Sequence, residues 1–134
     1  MSRVTDPLKD VRVGMTGRHE VLVTPDLTVG AMVEGMPPVY ATPMMVLAME
    51  SASWDAVRRS LPPGWVSVGS EVAVRHLAPT PVGHTVVATA VVTAIEGRSI
   101  AFAVEAHDGE RKIGEGTHRR GAVDLERFAE RMRR

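Results

Sequence analysis

The chain has 134 residues, 44% of them hydrophobic, enough for one domain of ordinary size with a real core. Its 16 basic and 16 acidic residues balance, so there is no electrostatic footprint for nucleic acid or an anionic membrane surface. It contains no cysteine, which excludes disulfides, thiolate metal sites and a cysteine nucleophile.

Residues 1–14 read as a frayed lead-in. The N-terminal stretch lacks the apolar h-region of a secretory signal, so a cytoplasmic protein is expected. His19 to Thr24 alternate weakly and predict a first strand, ended by Pro25. Residues 25–40 carry Pro25, Asp26, Gly30, Gly35, Pro37 and Pro38. They predict a loop of the length that often serves as a lid.

The stretch that follows organises the rest. Thr42 stands where an N-cap would and Pro43 at the first helical position, where a missing N–H costs nothing. Met44 to Met49 are apolar without a polar face, the pattern of a buried helix rather than a surface one. The run is far too short to cross a bilayer, which takes about 20 apolar residues. The helix should extend from Pro43 to about Ser60 and stop before Pro62-Pro63-Gly64. Glu50 falls within it, and a carboxylate on a buried helix is costly unless it is paired or put to use.

Trp65 to Ala78 alternate with period two, with Val66, Val68, Val72, Val74 and His76 on the expected core face. His84 to Ile95 form a third strand, and Glu96-Gly97 a turn. Ser99 to Ala106 place Ile100, Phe102, Val104 and Ala106 on one face. Asp108-Gly109 signals a hairpin. Arg111 to Val123 form a last strand, in which Gly114, Gly116 and Gly121 suggest bulges or a close backbone neighbour. Asp124 caps a terminal helix with Leu125, Phe128 and Met132 at helical spacing. Its arginines (Arg127, Arg131, Arg133, Arg134) alternate with Glu126 and Glu130, as on a solvated face. The whole is α+β, an antiparallel sheet curled around one long central helix. A small sheet cannot cover a helix apolar on every side, so a partner subunit is expected to complete the cover.

Thr42, Glu50 and His76 form the candidate constellation. Thr42 and Glu50 are eight helical residues apart, about 12 Å along the axis, so they can line one cleft without bonding each other. His76 would bridge them or serve one. Each has an ordinary structural reading too: an N-cap threonine, a carboxylate at the margin of a buried face, a satisfied core histidine. The five histidines lack metal-ligand spacing, so no metal site is expected, and Gly114-x-Gly116 lies in a strand and opens no phosphate loop.

The segments Ala41-Thr-Pro-Met-Met-Val-Leu-Ala-Met-Glu50, Gly69, Val74-Arg-His76, Thr80-Pro-Val-Gly83, Ala106-His-Asp-Gly109 and Ile113-Gly-Glu-Gly-Thr-His118 resemble, in order and spacing, the fluoroacetyl-CoA thioesterase family. The resemblance covers most of the chain, from about Met32 to Phe128. It implies a single hotdog domain over residues 1–134 and a homodimer, or a higher oligomer, with active sites at the interface. It also implies catalytic roles for Thr42, Glu50 and His76, with substrate contacts near Gly69 and Arg120. No cofactor is expected; coenzyme A enters as part of the acyl-CoA substrate. The fluoroacetyl-specific pattern has phenylalanines where this chain has Val33 and Met36 in the lid, and glycine where it has Pro43. That departure points to a short-chain acyl-CoA thioesterase without strict fluoroacetyl selectivity. The alternative is a non-catalytic hotdog module that binds acyl-CoA or a related ligand; a hotdog dehydratase fits less well, since no Asp-x-x-x-x-His motif is present.

Overall fold

The computed structural model describes residues 4–133. In chain order the elements are β1 (Thr16–Leu22), α1 (Val29–Met32), α2 (Thr42–Val57), β2 (Trp65–His76), β3 (Thr85–Glu96), β4 (Ser99–Asp108), β5 (Arg111–Asp124) and α3 (Leu125–Met132). The five strands make one sheet in the order β1-β3-β4-β5-β2, with every neighbouring pair antiparallel. The sheet curls around α2, the hotdog arrangement. No helix among the described residues is long and apolar enough to cross a membrane.

Strand alternation and helix spacing account for the core. Val86, Ala88, Ala90 and Val92 of β3 and Ile100, Phe102, Val104 and Ala106 of β4 are buried against Met45, Ala48, Met49 and Ala52 of α2. Small residues let helix and sheet approach closely. A Cβ on Gly17 of β1 would overlap the Ala52 carbonyl oxygen, and one on Gly114 of β5 would overlap the Met45 side chain. Gly121, by contrast, has open space beside it.

Several expectations change. The lead-in is packed rather than frayed over residues 4–14: Leu8 and Val11 are buried in the core cluster, and the Gly14 amide donates to Val92 O. The first strand starts at Thr16, earlier than its weak alternation predicted, because its register is set by pairing with β3. Helix α2 is not covered on every side; Leu47 and Trp54 are exposed. Residue Arg134 of the terminal arginine cluster lies outside the described residues, while Asp124 caps α3 as expected, accepting from the amides of Glu126 and Arg127.

The inner face of β2 also differs. Gly69 pairs with Arg120 and Glu71 with Arg119, so Ser70 is an extra residue, a β-bulge. The bulge switches the parity: Ser67 is the buried residue before it, while Val72, Val74 and His76 share the face of their β5 partners after it. Even positions are therefore the core face only in the second half of the strand.

Candidate active site

The Thr42–His76 pair is built by the start of α2 and the end of β2. The helix begins at Thr42 with Ala41 as its N-cap, and no side chain caps it, so Thr42 is not the N-cap that its position suggested. Its hydroxyl is released for another partner: Thr42 Oγ1 lies 2.8 Å from His76 Nδ1. His76 is half-buried, and burial holds its pKa below the ordinary 6.5. Its Nε2 is buried without a partner among the described residues. Both residues line a cavity of about 430 Å³ together with Met36, Tyr40, Pro43 and Leu77. The positive end of the α2 dipole lies here, favouring developing negative charge.

Glu50 belongs to a different cluster. Its Oε2 is 3.8 Å from Arg120 Nη1, and it covers Gly69, where a Cβ would come within 2.8 Å of it. It makes no hydrogen bond to His76 among the described residues, so within one chain the expected triad divides into two parts. Arg120 is buried and clamped by Ser67, through Nε to Oγ at 2.8 Å and Nη2 to the carbonyl oxygen at 2.8 Å. Burial lowers the Arg120 pKa, and the Glu50 charge opposes that shift.

The lid is pinned at its base. The Val29 amide donates to Val39 O, Thr28 bridges Tyr40, and Val39 bridges Pro81. Gly30 packs against the backbone of Met36 and Pro37 so closely that a Cβ would reach 2.8 Å from Met36 O. Met36 lines the cavity; Val33 is exposed and does not. A second hollow of about 440 Å³, lined by Arg18, Asp55, Thr89 and Glu105 among others, lies away from these residues. There Asp55 is already engaged by the Arg18 amide and the Arg58 side chain.

Two residues of the Glu50 cluster were not singled out from sequence. His118 is almost fully buried, with Nδ1 2.8 Å from Glu71 O and Nε2 3.3 Å from Arg120 Nη1. Ser67 holds the guanidinium. The available signal was period two: His118 and Arg120 are two apart on β5 and so share its inner face.

A curled antiparallel sheet around one helix, with a Thr–His pair at the helix start and a buried arginine beside a helix carboxylate, defines a hotdog-fold thioesterase. Comparison with known proteins makes this specific. The model of the FlK family, fluoroacetyl-CoA-specific thioesterase, matches residues 23–126. The fluoroacetyl-CoA thioesterase of Streptantibioticus cattleyicolor is 40% identical over 133 residues, covering 94% of this chain and 96% of that one. A threonine-to-alanine variant of the fluoroacetyl-CoA thioesterase FlK, solved in complex with fluoroacetate, superposes with a TM-score of 0.86 at 39% identity, over 92% of this chain and 97% of the other. A thioesterase superfamily member from Thermus thermophilus also reaches a TM-score of 0.86, at 30% identity over 93% of each chain. The chain belongs to the fluoroacetyl-CoA-specific thioesterase family, and it is a thioester hydrolase.

Proposed function

We propose that the protein hydrolyses short-chain acyl-CoA thioesters, without strict selectivity for fluoroacetyl-CoA. The observation that carries this reading is the Thr42 hydroxyl 2.8 Å from His76 Nδ1, at the wall of an apolar cavity. A neutral His76 accepts the hydroxyl proton through Nδ1 as Thr42 attacks the thioester carbonyl, and the proton later passes to the departing coenzyme A thiolate. Water then hydrolyses the threonyl ester. In the second route Glu50 activates water or attacks directly, and Thr42 and His76 position the carbonyl. Gly69 lets the Glu50 carboxylate lie close against the β2 backbone, where substrate is contacted, and Arg120 supplies the buried positive charge. Coenzyme A is the leaving part of the substrate, and no cofactor takes part. Residues 1–134 work as one hotdog domain in the cytoplasm, where acyl-CoA substrates occur.

We further propose a homodimer paired along β2. Three observations support it. One edge of β2 is unpaired in the sheet. Val72 on its inner face is exposed. Leu47 and Trp54 leave the α2 flank uncovered. Antiparallel pairing of two β2 edges runs the strands in opposite directions, so the Thr42–His76 half of each chain meets the Gly69–Glu50 half of the other. The buried Nε2–H of His76 then has an acceptor within reach, and the site is complete only in the dimer.

Selectivity follows from the lid. Met36 is flexible and adaptable, and Val33 stands outside the cavity, so neither lid position places an aromatic in it. One methylene in an apolar pocket changes binding by only about 1–3 kcal/mol. Thiol release should be measured side by side for acetyl-, fluoroacetyl-, propionyl- and butyryl-CoA. Hydrolysis of several of them is expected. A fluoroacetyl preference above roughly 10⁴-fold, the scale of a dedicated recognition group, would overturn the selectivity reading, and no thiol release from any acyl-CoA would favour a binding module.

A further inference from the structure

We propose that His118 is a positioning residue, a neutral hydrogen-bond acceptor that fixes the Arg120 guanidinium against Glu50. The inference rests on the reading of Glu50 and Arg120 as parts of the site, and it starts from donor and acceptor chemistry. His118 Nδ1 lies 2.8 Å from the carbonyl oxygen of Glu71. A carbonyl only accepts, so Nδ1 must carry the proton. Nε2 is then a bare lone pair, and it lies 3.3 Å from Arg120 Nη1, a group that only donates. The chain thus determines the tautomer through the backbone of β2 and presents the free lone pair to the arginine.

The ring has little freedom to do otherwise. His118 is 2% exposed. Phe102 stacks beside it, with centroids 6.1 Å apart and planes at 29°. Its Cε1 stands 3.3 Å from where a Gly69 Cβ would be, so any side chain at Gly69 would press on the ring. Burial and the neighbouring Arg120 charge both push its pKa below the ordinary value, while the Glu71 carbonyl and Glu50 oppose them. The ring stays neutral and keeps its lone pair.

The guanidinium is consequently held on three nitrogens. Ser67 takes Nε and Nη2, and His118 takes Nη1, the same atom that faces Glu50 Oε2 at 3.8 Å. Ser67 alone would leave the Nη1 corner unanchored on the Glu50 side. His118 therefore decides where the positive charge rests relative to the carboxylate, and it acts only through Arg120.

The test is a double-mutant cycle on acyl-CoA hydrolysis, with His118→Phe, Arg120→Gln and the pair. Phenylalanine keeps the bulk and the stacking and removes the lone pair. His118→Phe should lower kcat by about 10–100-fold with a smaller effect on KM, the scale of an outer residue that orients a working group. In the Arg120→Gln background it should cost no more than about 3-fold further, as expected for residues acting as one unit. Full additivity, or wild-type kcat in the single variant, overturns the proposal. Should His118→Phe fail to fold, ¹⁵N NMR of the imidazole decides: an Nδ1–H tautomer whose Nε2 resonance moves toward that of a free acceptor in Arg120→Met supports the proposal, and an Nε2–H tautomer in the wild type, or an Nε2 resonance that ignores the loss of Arg120, overturns it. Glu50→Gln separates the two readings. If that variant is fully active while His118 and Arg120 remain coupled, Glu50 loses its role and His118 keeps its own.

Discussion

At the scale of single residues, the candidate site divides between the Thr42–His76 pair and the Glu50–Arg120 cluster. Thr42→Ala, Glu50→Gln and His76→Ala should each lower kcat/KM by at least about 100-fold, the scale of general acid–base or nucleophilic groups. Wild-type activity in any variant removes that residue from the set. Gly69→Ala belongs with them for a steric reason. Its Cβ would meet Glu50 Oε2 at 2.8 Å and His118 Cε1 at 3.3 Å, so activity should fall by about 10-fold or more from a displaced carboxylate. The backbone there is not left-handed, so Tm should change little, and a large loss of Tm would show that Gly69 is structural. The pH dependence has a definite sign. Burial depresses the folded-state pKa of His76 and His118 below the ordinary 6.5. A group depressed in the folded state is neutral in both states above 6.5 and binds protons first in the unfolded chain below it. Stability should therefore be fully present above 6.5 and decline as pH falls through 6.5 toward the folded values. The acidic limb of kcat/KM reports the free-enzyme pKa of His76; a Glu50 carboxylate accepting from Nε2–H in the dimer opposes the burial shift, so Glu50→Gln should move that limb to lower pH, and a limb that stays put would place Glu50 away from His76.

At the scale of elements, much was legible because periodicity is a local property. Strand β4 alternates cleanly, and β3 does so through Val92; a bulge at Thr93 then brings Ile95 to the core face opposite Ile100, which alternation does not show. Helix α2 was legible from its apolar run and Pro43. The β2 bulge was not, since an extra residue is visible only against the register of β5. The packed lead-in was missed because Leu8 and Val11 are buried by tertiary contacts and carry no periodic signal. Thr42, Glu50 and His76 were singled out in sequence as candidates, yet their division into two clusters was hidden, because side-chain pairing between α2 and β2 depends on where the strand ends. Close approach of elements gives a sharp stability prediction. Gly17→Ala would drive a Cβ into the Ala52 carbonyl and the Ala56 backbone, and backbone cannot rotate away as a side chain can. A loss of roughly 1–3 kcal/mol or more is expected from such overpacking, read as a fall in the urea midpoint without a change in m. An unchanged midpoint would mean that β1 can shift away from α2.

At the scale of the molecule, the question is which chain supplies Glu50 to a given Thr42–His76 pair. Along α2 the two groups are eight residues, or about 12 Å, apart. Glu50 is turned toward Arg120 and Gly69 rather than toward His76. Closing that gap inside one chain would require unseating Glu50 from Arg120, leaving the buried guanidinium without its carboxylate. The proposed antiparallel association along β2 needs no such rearrangement, since it uses the open strand edge beside the exposed Val72. The two arrangements predict different outcomes when inactive chains are mixed. A chain carrying Thr42→Ala and His76→Ala is refolded or co-expressed with a chain carrying Glu50→Gln. If each site draws Thr42 and His76 from one chain and Glu50 from the other, every mixed dimer holds one site with all three native residues and one with none. With random pairing, half the dimers are mixed and half their sites are intact, so activity should return to about one quarter of wild type. If each site is built within one chain, every site in the mixture lacks at least one residue and no activity returns. Sedimentation of the mixture confirms that dimers form. Dimers with no recovered activity would assign Glu50 to its own chain, and a monomer at micromolar concentration would remove the β2 interface altogether.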